Sequence, residues 1–283
     1  RLSLVGSEMC IRERSTLAKI KHCERIFDDF KRENLLPNKL SQLGPGISWG
    51  DIDNDNDNDV YIGGASGYPG RIFVNNGNSE FIMKYQSSFL RDKNFEDMGV
   101  LFIDVDEDGD LDLFVASGGV ECVSGSSLLL DRIYLNDGLG NFTRLQISLP
   151  RTNGSSVSVS DFNNDGYEDL FLGSRSITGF YGLSPYSFIM LNNGDNTLTP
   201  IEQQRYGMVT DSKWVDINSD GKEDLILVGD WMPITILIQE DELKFTNKTE
   251  KYGLSKTNGP VSYTHLRAHE TKANGGWRGV VGK

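Results

Sequence analysis

The 283-residue sequence predicts an all-β protein built from four consecutive repeats, each with four antiparallel strands. Two observations support this prediction. An aspartate-rich stretch begins at Asp51 and recurs at Asp104, Asp161 and Asp216, so that successive copies lie 53, 57 and 55 residues apart. A near-constant period of this kind indicates a repeat architecture. Each copy also lies between two short apolar segments with the length and alternation typical of strands.

The strands of each repeat are predicted from short segments on either side of the acidic stretch. The first strands correspond to GISWG, VLFI, SVSVS and DSKWV, and the second strands to VYIGG, LFVASGG, LFLGS and LILVGD. The third and fourth strands are predicted within RIFVNNGNSEF, DRIYLNDGLGNF, SFIMLNNGDNTL and ITILIQEDELKF. Four-stranded sheets repeated around an axis are the blades of a β-propeller. We therefore predict a β-propeller with four visible blades that belong to a larger ring.

The turns between the third and fourth strands differ among the repeats. Three contain Asn-Gly or Asp-Gly between apolar runs, which predicts a tight hairpin turn with positive φ at both central residues. The fourth has Glu240 and Asp241 at this point, so we expect a damaged or truncated fourth blade.

The domain limits follow from the repeats. We predict a lead-in segment at 13–45 and the repeats at 46–260, with blades at about 46–98, 99–155, 156–209 and 210–260. The segments SLVGSEMCIR and VSYTHLRAHET resemble translated sequencing adapters. Residues 1–12 and 261–283 are therefore interpreted as artefacts and left out of the fold prediction, and the natural segment is expected to be an internal piece with no visible signal peptide.

Composition excludes several classes of function. The formal net charge of −13 argues against nucleic-acid or anionic-membrane partners, which require basic patches. No apolar run approaches 18 residues, so no transmembrane helix is predicted. His22, Cys23 and Cys122, which remain after the adapter-like segments are removed, are too few for a zinc cluster or a disulfide framework.

The acidic loops have the chemistry of calcium sites. Positions 1, 3, 5 and 9 of each loop carry Asp or Asn, whose oxygens are ligands that Ca²⁺ prefers. Position 6 is Asn or Gly, which tolerate the left-handed backbone needed to wrap an ion. Position 7 varies from Asp to Lys, so its backbone carbonyl is the predicted ligand. The metal-site residues predicted for up to four Ca²⁺ ions are Asp51, Asp53, Asp55, Asp57 and Asp59; Asp104, Asp106, Asp108, Asp110 and Asp112; Asp161, Asn163, Asp165, Tyr167 and Asp169; and Asp216, Asn218, Asp220, Lys222 and Asp224.

Two alternatives compete with this interpretation. An EF-hand begins with the same Asp pattern, but it needs a bidentate Glu at position 12, which here is Ile62, Val115, Leu172 or Leu227. Strands rather than helices also flank each loop. The second alternative, acidic hairpins that hold no ion, stays open.

The repeats resemble the FG-GAP or VCBS repeats of integrin-like β-propellers, from Gly46 to about Asn247. The phrases KRENLLPNKLSQLGPGI, DRIYLNDGLGNF, GMVTDSKWVDI and VGDWMPITI are further similar to large bacterial extracytoplasmic VCBS-repeat proteins, which often carry an ASPIC/UnbV module. This resemblance implies a secreted, periplasmic or cell-surface location and a protein or glycan ligand. Fold alone does not set activity.

The function expected from the resemblance is a calcium-binding, non-catalytic recognition or adhesion module. The alternative is a propeller-type polysaccharide lyase or glycoside hydrolase, or the carbohydrate-binding part of one. No catalytic residue is predicted, because the loops use most of the paired carboxylates and the repeats contain no His. Arg175, Tyr181, Tyr186 and Trp231 are candidates for stacking on a sugar, although ordinary core or loop roles are common for such residues.

Overall fold

The computed structural model describes residues 22–258 except 35, 78 and 79, so the adapter-like segments lie outside the described residues. Within this part of the chain, sixteen strands form four antiparallel sheets. The first two sheets contain β1 (Ile47–Gly50), β2 (Asp59–Ile62), β3 (Arg71–Asn75) and β4 (Phe81–Lys84), then β5 (Asp97–Ile103), β6 (Asp112–Ser117), β7 (Arg132–Leu135) and β8 (Thr143–Arg144). The other two contain β9 (Gly154–Ser160), β10 (Asp169–Ser174), β11 (Ser187–Asn192) and β12 (Leu198–Gln204), then β13 (Met208–Val215), β14 (Asp224–Asp230), β15 (Thr235–Asp241) and β16 (Lys244–Asn247).

These sheets confirm the predicted all-β class and its four-stranded repeats. Each strand pairs with its neighbour in sequence, as Trp49 does with Val60 and Val60 with Phe73 across the first sheet. Two short helices, α1 (Asp29–Arg32) and α2 (Ser87–Arg91), lie in the lead-in segment and in the first connection between sheets. The blade limits and the larger ring stay predictions.

The core lies in the spaces between successive sheets, because the strands alternate apolar residues between their two faces. Three buried clusters fill these spaces, and they include in chain order Tyr61 and Leu113, Phe114 and Leu170, and Phe171 and Leu225. Burying a side chain of this size stabilises the fold by roughly 1.5–3 kcal/mol. The two faces of the second and third sheets therefore both contribute to the core.

The first and fourth sheets each have one face that no other described sheet covers. Trp49 is 53% exposed, whereas Trp214, at the equivalent position of the fourth sheet, is 8% exposed because it packs in the cluster shared with the third sheet. Ile217 of the fourth sheet is half-buried, whereas the equivalent Phe162 is buried. Burial at these positions depends on the neighbouring sheet and not on the residue type.

The first strands of the four sheets, β1, β5, β9 and β13, lie side by side. Serine hydroxyls join them: Ser155 Oγ donates to the Val209 carbonyl at 2.6 Å, and the hydroxyls of Ser158 and Ser212 are 2.8 Å apart. A step of three residues along β9 thus matches a step of three along β13, so these two strands run in the same direction. The acidic loops that follow the edge strands consequently lie at one end of the molecule.

Two predictions about the turns were wrong. The third and fourth strands of the first three sheets are joined by loops of five to seven residues and not by two-residue turns. In these loops Gly77, Gly138 and Gly194 have positive φ, but the residues before them do not. The fourth sheet is neither damaged nor truncated, because Glu240 and Asp241 extend β15 and a shorter turn leads into a complete β16.

Candidate metal centre

Each sheet has an acidic loop between its first and second strands, and we number these loop 1 (51–59), loop 2 (104–112), loop 3 (161–169) and loop 4 (216–224). In loop 1, carboxylate oxygens of Asp51, Asp53 and Asp59 all lie within 4.8 Å of one another. In loop 2 the same holds for three neighbouring carboxylates, those of Asp104, Asp106 and Asp108. The structure therefore brings together three predicted ligands in each of these two loops.

Several oxygens in loops 1 and 2 are buried without a hydrogen-bond donor. These are Oδ1 of Asp53, Oδ1 of Asp104 and Oδ1 of Asp106. Burial, followed by repulsion from neighbouring aspartates, raises the pKa of Asp53 and of Asp106 above the usual range. A buried acceptor left unpaired costs about 1–3 kcal/mol, and more if it is charged. A bound cation would remove this cost, so the residues of loops 1 and 2 fit Ca²⁺.

In loops 3 and 4 the residue at position 3 is an amide that donates within the loop, although Asp169 Oδ2 of loop 3 is also buried without a donor. Asn163 Nδ2 donates to Asp165 Oδ2 at 2.7 Å, and Asn218 Nδ2 donates to Asp220 Oδ2 at 2.9 Å. Among the described residues, groups of three clustered acids occur only in loops 1 and 2. An amide at position 3 thus replaces a charged ligand and supplies a hydrogen bond to its neighbour.

The backbone of each loop is bent at two positions. Position 6 has positive φ in all four loops, at Asn56, Gly109, Gly166 and Gly221, which confirms the left-handed conformation expected there. The sequence reasoning missed a second left-handed residue at position 4, which is Asn54, Glu107, Asn164 or Ser219. The aspartate at position 1 secures the bend, since Asp51 Oδ2 accepts from the Asn56 amide at 2.9 Å and Asp104 Oδ2 accepts from the Gly109 amide at 3.0 Å.

The aspartates at position 9 are fully buried and join the loop to the third strand. Asp112 accepts from the Val105 amide at 3.1 Å and from the Asn136 amide at 2.7 Å. Burial raises the pKa of Asp112, and likewise that of Asp169, to about 7. The equivalent bonds recur at Asp59 and Asp224. This residue therefore has a structural role in each blade, and its role as a metal ligand stays a prediction.

The side chains at position 7 point to other partners. Lys222 Nζ donates to the Glu240 carbonyl at 2.8 Å, and Asp110 Oδ1 accepts from Asn54 of loop 1 at 2.8 Å. The amides of position 7 donate to the aspartate at position 5, as Asp110 does to Asp108 at 2.9 Å. The backbone carbonyl of position 7 stays the predicted ligand.

Three amide side chains that the sequence analysis did not single out tie loops 1, 2 and 3 to the sheet that follows each of them. Asn136 Nδ2 donates to the Ile52 carbonyl of loop 1 at 2.8 Å, and Asn192 Nδ2 donates to the Val105 carbonyl of loop 2 at 2.9 Å. Gln239 does the same for loop 3. The signal was visible in the sequence as an Asn or Gln at the end of each third strand. Loops 1, 2 and 3 are consequently each held by two sheets.

The other singled-out residues lie away from the loops. Arg175 forms an ion pair with Asp230 at 2.9 Å, and Tyr181 is hydrogen bonded to Trp231, so these residues form one cluster. Trp231 is 57% exposed and has a left-handed φ of 58°, which is strained for a tryptophan. Tyr186 contacts a different residue. The guanidinium carbon of Arg205 lies over the Tyr186 ring, 4.5 Å from the ring centre.

The three remaining His and Cys candidates form no metal cluster among the described residues. His22 Nε2 lies 2.8 Å from Glu24 Oε1, and Cys23 and Cys122 are free thiols.

Part of the chain matches a known family. Residues 45–115 and 116–172, which make up less than half of the chain, match the family described as FG-GAP-like repeat. No curated protein matches the chain. In the described part of the chain, no helix is long and apolar enough to cross a membrane.

The solved structures that are similar to this chain include a lectin and a biofilm matrix protein. An Agrocybe aegerita lectin that recognises non-reducing terminal N-acetylglucosamine has a TM-score of 0.46 and 17% identity, over 70% of this chain and 49% of the lectin. The V. cholerae biofilm matrix protein Bap1 has a TM-score of 0.35 and 17% identity, over 72% of this chain and 38% of Bap1. The chain thus spans about half, or less, of each of these proteins.

Proposed function

We propose that this chain is a calcium-stabilised, non-catalytic recognition or adhesion module that acts outside the cytoplasm. The observation that carries the calcium part is the set of buried carboxylate oxygens without donors in loops 1 and 2. The side chains at positions 1, 3 and 5 would hold the ion, together with the position-9 carboxylate and the position-7 carbonyl. A bound ion would supply positive charge that offsets the repulsion among these aspartates.

The proposed ligand-binding face lies at the end of the sheets opposite the loops, where the connections after the second strands emerge. Phe180 is exposed there on the insertion between β10 and β11, and Trp231 is exposed after β14. Exposed aromatic rings are common anchors at recognition surfaces, since one ring buries a large area at little entropic cost. The ligand class is a protein or a glycan at the cell surface, and the resemblance of the repeats supports the extracytoplasmic location.

The calcium part is tested by thermal melts of the whole chain with Ca²⁺, with Mg²⁺ and with a chelator. Ca²⁺ at about 100 times its dissociation constant stabilises by about 2.7 kcal/mol per site, which shifts the melting temperature by roughly 5–10 °C for a domain of this size. The double variant Asp53→Ala, Asp106→Ala removes an oxygen ligand from each of loops 1 and 2 and should lose the part of the shift that these two loops contribute. Asp241→Asn, which changes an exposed carboxylate outside the loops, is the matched control and should keep it. Superimposable melts would refute the calcium proposal.

The recognition part is tested with a glycan array and a panel of lyase and hydrolase substrates. Binding without turnover, reduced by Trp231→Ala, supports a recognition module. Turnover of a polysaccharide would refute the non-catalytic assignment.

A further inference from the structure

A concave pocket of about 100 Å³ lies at the end of the sheets opposite the acidic loops. Its walls come from connections that follow β2 and β6 and precede β5, whereas the acidic loops precede β2 and β6. The side chains that matter for its chemistry are those of Arg25, Ser66, Glu96, Glu121, Cys122 and Leu128. The pocket is therefore separate from the predicted calcium sites.

The Glu121 carboxylate is only partly satisfied in this pocket. Its side chain is only 9% exposed, and its Oε2 is buried with no hydrogen-bond donor. The nearest cation is the guanidinium of Arg25 at 3.7 Å, a distance too long for a hydrogen bond, and the Arg25 side chain is 63% exposed. An exposed side chain held this loosely gives little stabilisation to a buried charge. Ser66 gives the Glu121 carboxylate one side-chain hydrogen bond, but among the described residues Oε2 is left with no donor and with Arg25 as its only paired cation.

Glu96 brings a second carboxylate to the same pocket. Gly119 has a left-handed φ of 98°, and a β-carbon at this position would lie 1.9 Å from Glu96 Oε2. The glycine thus leaves the space that the Glu96 carboxylate fills. Burial, followed by repulsion from Glu121, raises the pKa of Glu96 well above its usual range, and burial also raises the pKa of Glu121. The pocket holds two carboxylates that repel each other.

The acidic neighbours of this pair are already satisfied. Asp97 accepts from the Tyr61 hydroxyl at 2.7 Å and forms an ion pair with Arg132 at 2.5 Å. Asp29 accepts from the amide and hydroxyl of Ser41. Glu121 Oε2 is thus the carboxylate oxygen of the pocket that stays buried without a donor, and the Glu96 carboxylate lies near it.

The shape and composition of the pocket favour an organic cation over a metal ion. Ca²⁺ requires six to eight oxygens at 2.3–2.6 Å, and clusters of three acidic ligands occur, within the described ranges, only in loops 1 and 2. A primary ammonium group instead offers three N–H donors, enough for two carboxylates. Leu128 and Cys122 provide wall for an alkyl stem.

We propose that the pocket between Glu96 and Glu121 binds a primary alkylammonium group, carried either by a free small amine or by a lysine side chain of a partner. Both carboxylates accept from the ammonium group, and its carbon stem lies against Leu128. Arg25 at the rim competes weakly for Glu121. This binding does not depend on calcium in the loops.

The test is a titration of the whole chain with n-butylammonium chloride, followed by NMR or calorimetry, with the neutral n-butanol as the paired probe. Saturating Ca²⁺ is present throughout, so that the acidic loops are filled. We expect butylammonium to bind and butanol to bind at least tenfold more weakly, because only the cation makes charge-assisted hydrogen bonds. Equal binding of the two probes, or no butylammonium binding in saturating Ca²⁺, would overturn the proposal.

The variants distinguish loss of the ammonium site from a folding defect. Glu121→Gln and Glu96→Gln keep the side-chain volume and should each weaken butylammonium binding roughly tenfold or more. Glu250→Gln, at an exposed site outside the pocket, is the matched control and should change nothing. Arg25→Ala removes the competing cation and should tighten binding. Unchanged binding in both glutamine variants, or weaker binding in Arg25→Ala, would contradict the assignment.

A blocked lysine, acetylated at its α-amine and amidated at its carboxyl group, separates the two sources of the ammonium group. Binding as strong as that of butylammonium supports a lysine side chain of a partner. Binding of butylammonium alone supports a free small amine. If neither butylammonium nor the blocked lysine binds, the ammonium-site proposal is wrong, and the calcium and glycan tests of the proposed function are unaffected.

Discussion

Replacing Asn136 by alanine should destabilise the protein, because this side chain joins the first two sheets. Asn136 is buried, and its Nδ2 donates to the Ile52 carbonyl at 2.8 Å and to the Leu111 carbonyl at 3.1 Å. The Ile52 side chain is itself buried, so water does not readily replace the lost donor. An unpaired buried acceptor costs about 1–3 kcal/mol, so losing both bonds should lower the free energy of unfolding by about 2–4 kcal/mol.

Asn75→Ala is the matched control. Asn75 occupies the same position in the first sheet, and its amide makes the same bond to the position-9 aspartate, Asp59, at 2.7 Å. Its side-chain contacts, however, are exposed: Nδ2 donates to the Asn58 carbonyl at 3.4 Å, and Oδ1 accepts from the Gly77 amide at 3.2 Å. This variant should lose less than about 1 kcal/mol, as surface substitutions usually do.

The assay is urea unfolding at saturating Ca²⁺, followed by the fluorescence of Trp49 in the first sheet and Trp214 between the third and fourth. The midpoint should fall in the Asn136 variant while the slope with urea stays constant, since a changed slope would indicate an altered denatured or native state. A loss below about 1 kcal/mol for Asn136→Ala, or equal losses in the two variants, would refute the reasoning from buried unpaired groups.

Three further predictions concern single sites. With the other loops silenced, Asp108→Ala should abolish calcium binding by loop 2 in a calcium titration and Asp110→Ala should weaken it mildly; equal losses would mean that the loop register is wrong. Arg132→Met strands the buried carboxylate of Asp97 and should lower the unfolding free energy by about 3–5 kcal/mol, measured by urea unfolding. Gly64→Ala puts a β-carbon 2.1 Å from a backbone carbonyl oxygen and should lower the melting temperature; an unchanged melt would contradict the packing.

Much of the fold could be predicted from the sequence because strands and bends are encoded locally. Alternation of apolar residues predicted the first and second strands of each sheet, and Gly or Asn at position 6 predicted a left-handed bend in each loop. The turns after β3, β7 and β11 were less predictable. The amide of Asn75 bonds to an aspartate 16 residues earlier, and no local pattern encodes a bond of that separation.

The candidate calcium site, too, could be predicted from the sequence only in part. The sequence by itself determined which residues offer hard oxygens, that all four loops share one pattern, and that loops 3 and 4 carry one charge fewer at position 3. It could not separate the buried Asp59, which joins two strands, from the more exposed Asp51 in the same run of alternating aspartates.

Only the tertiary structure decided which side chains contact one another and which are buried away from water. It placed Asn136 against the preceding loop, 84 residues away in sequence, and brought Glu96 and Glu121 into one pocket. It also left Trp49 exposed while burying Trp214 at the equivalent position. The physical reason is that secondary structure depends on neighbouring residues, whereas burial, pKa and pairing depend on which surfaces the folded sheets bring together.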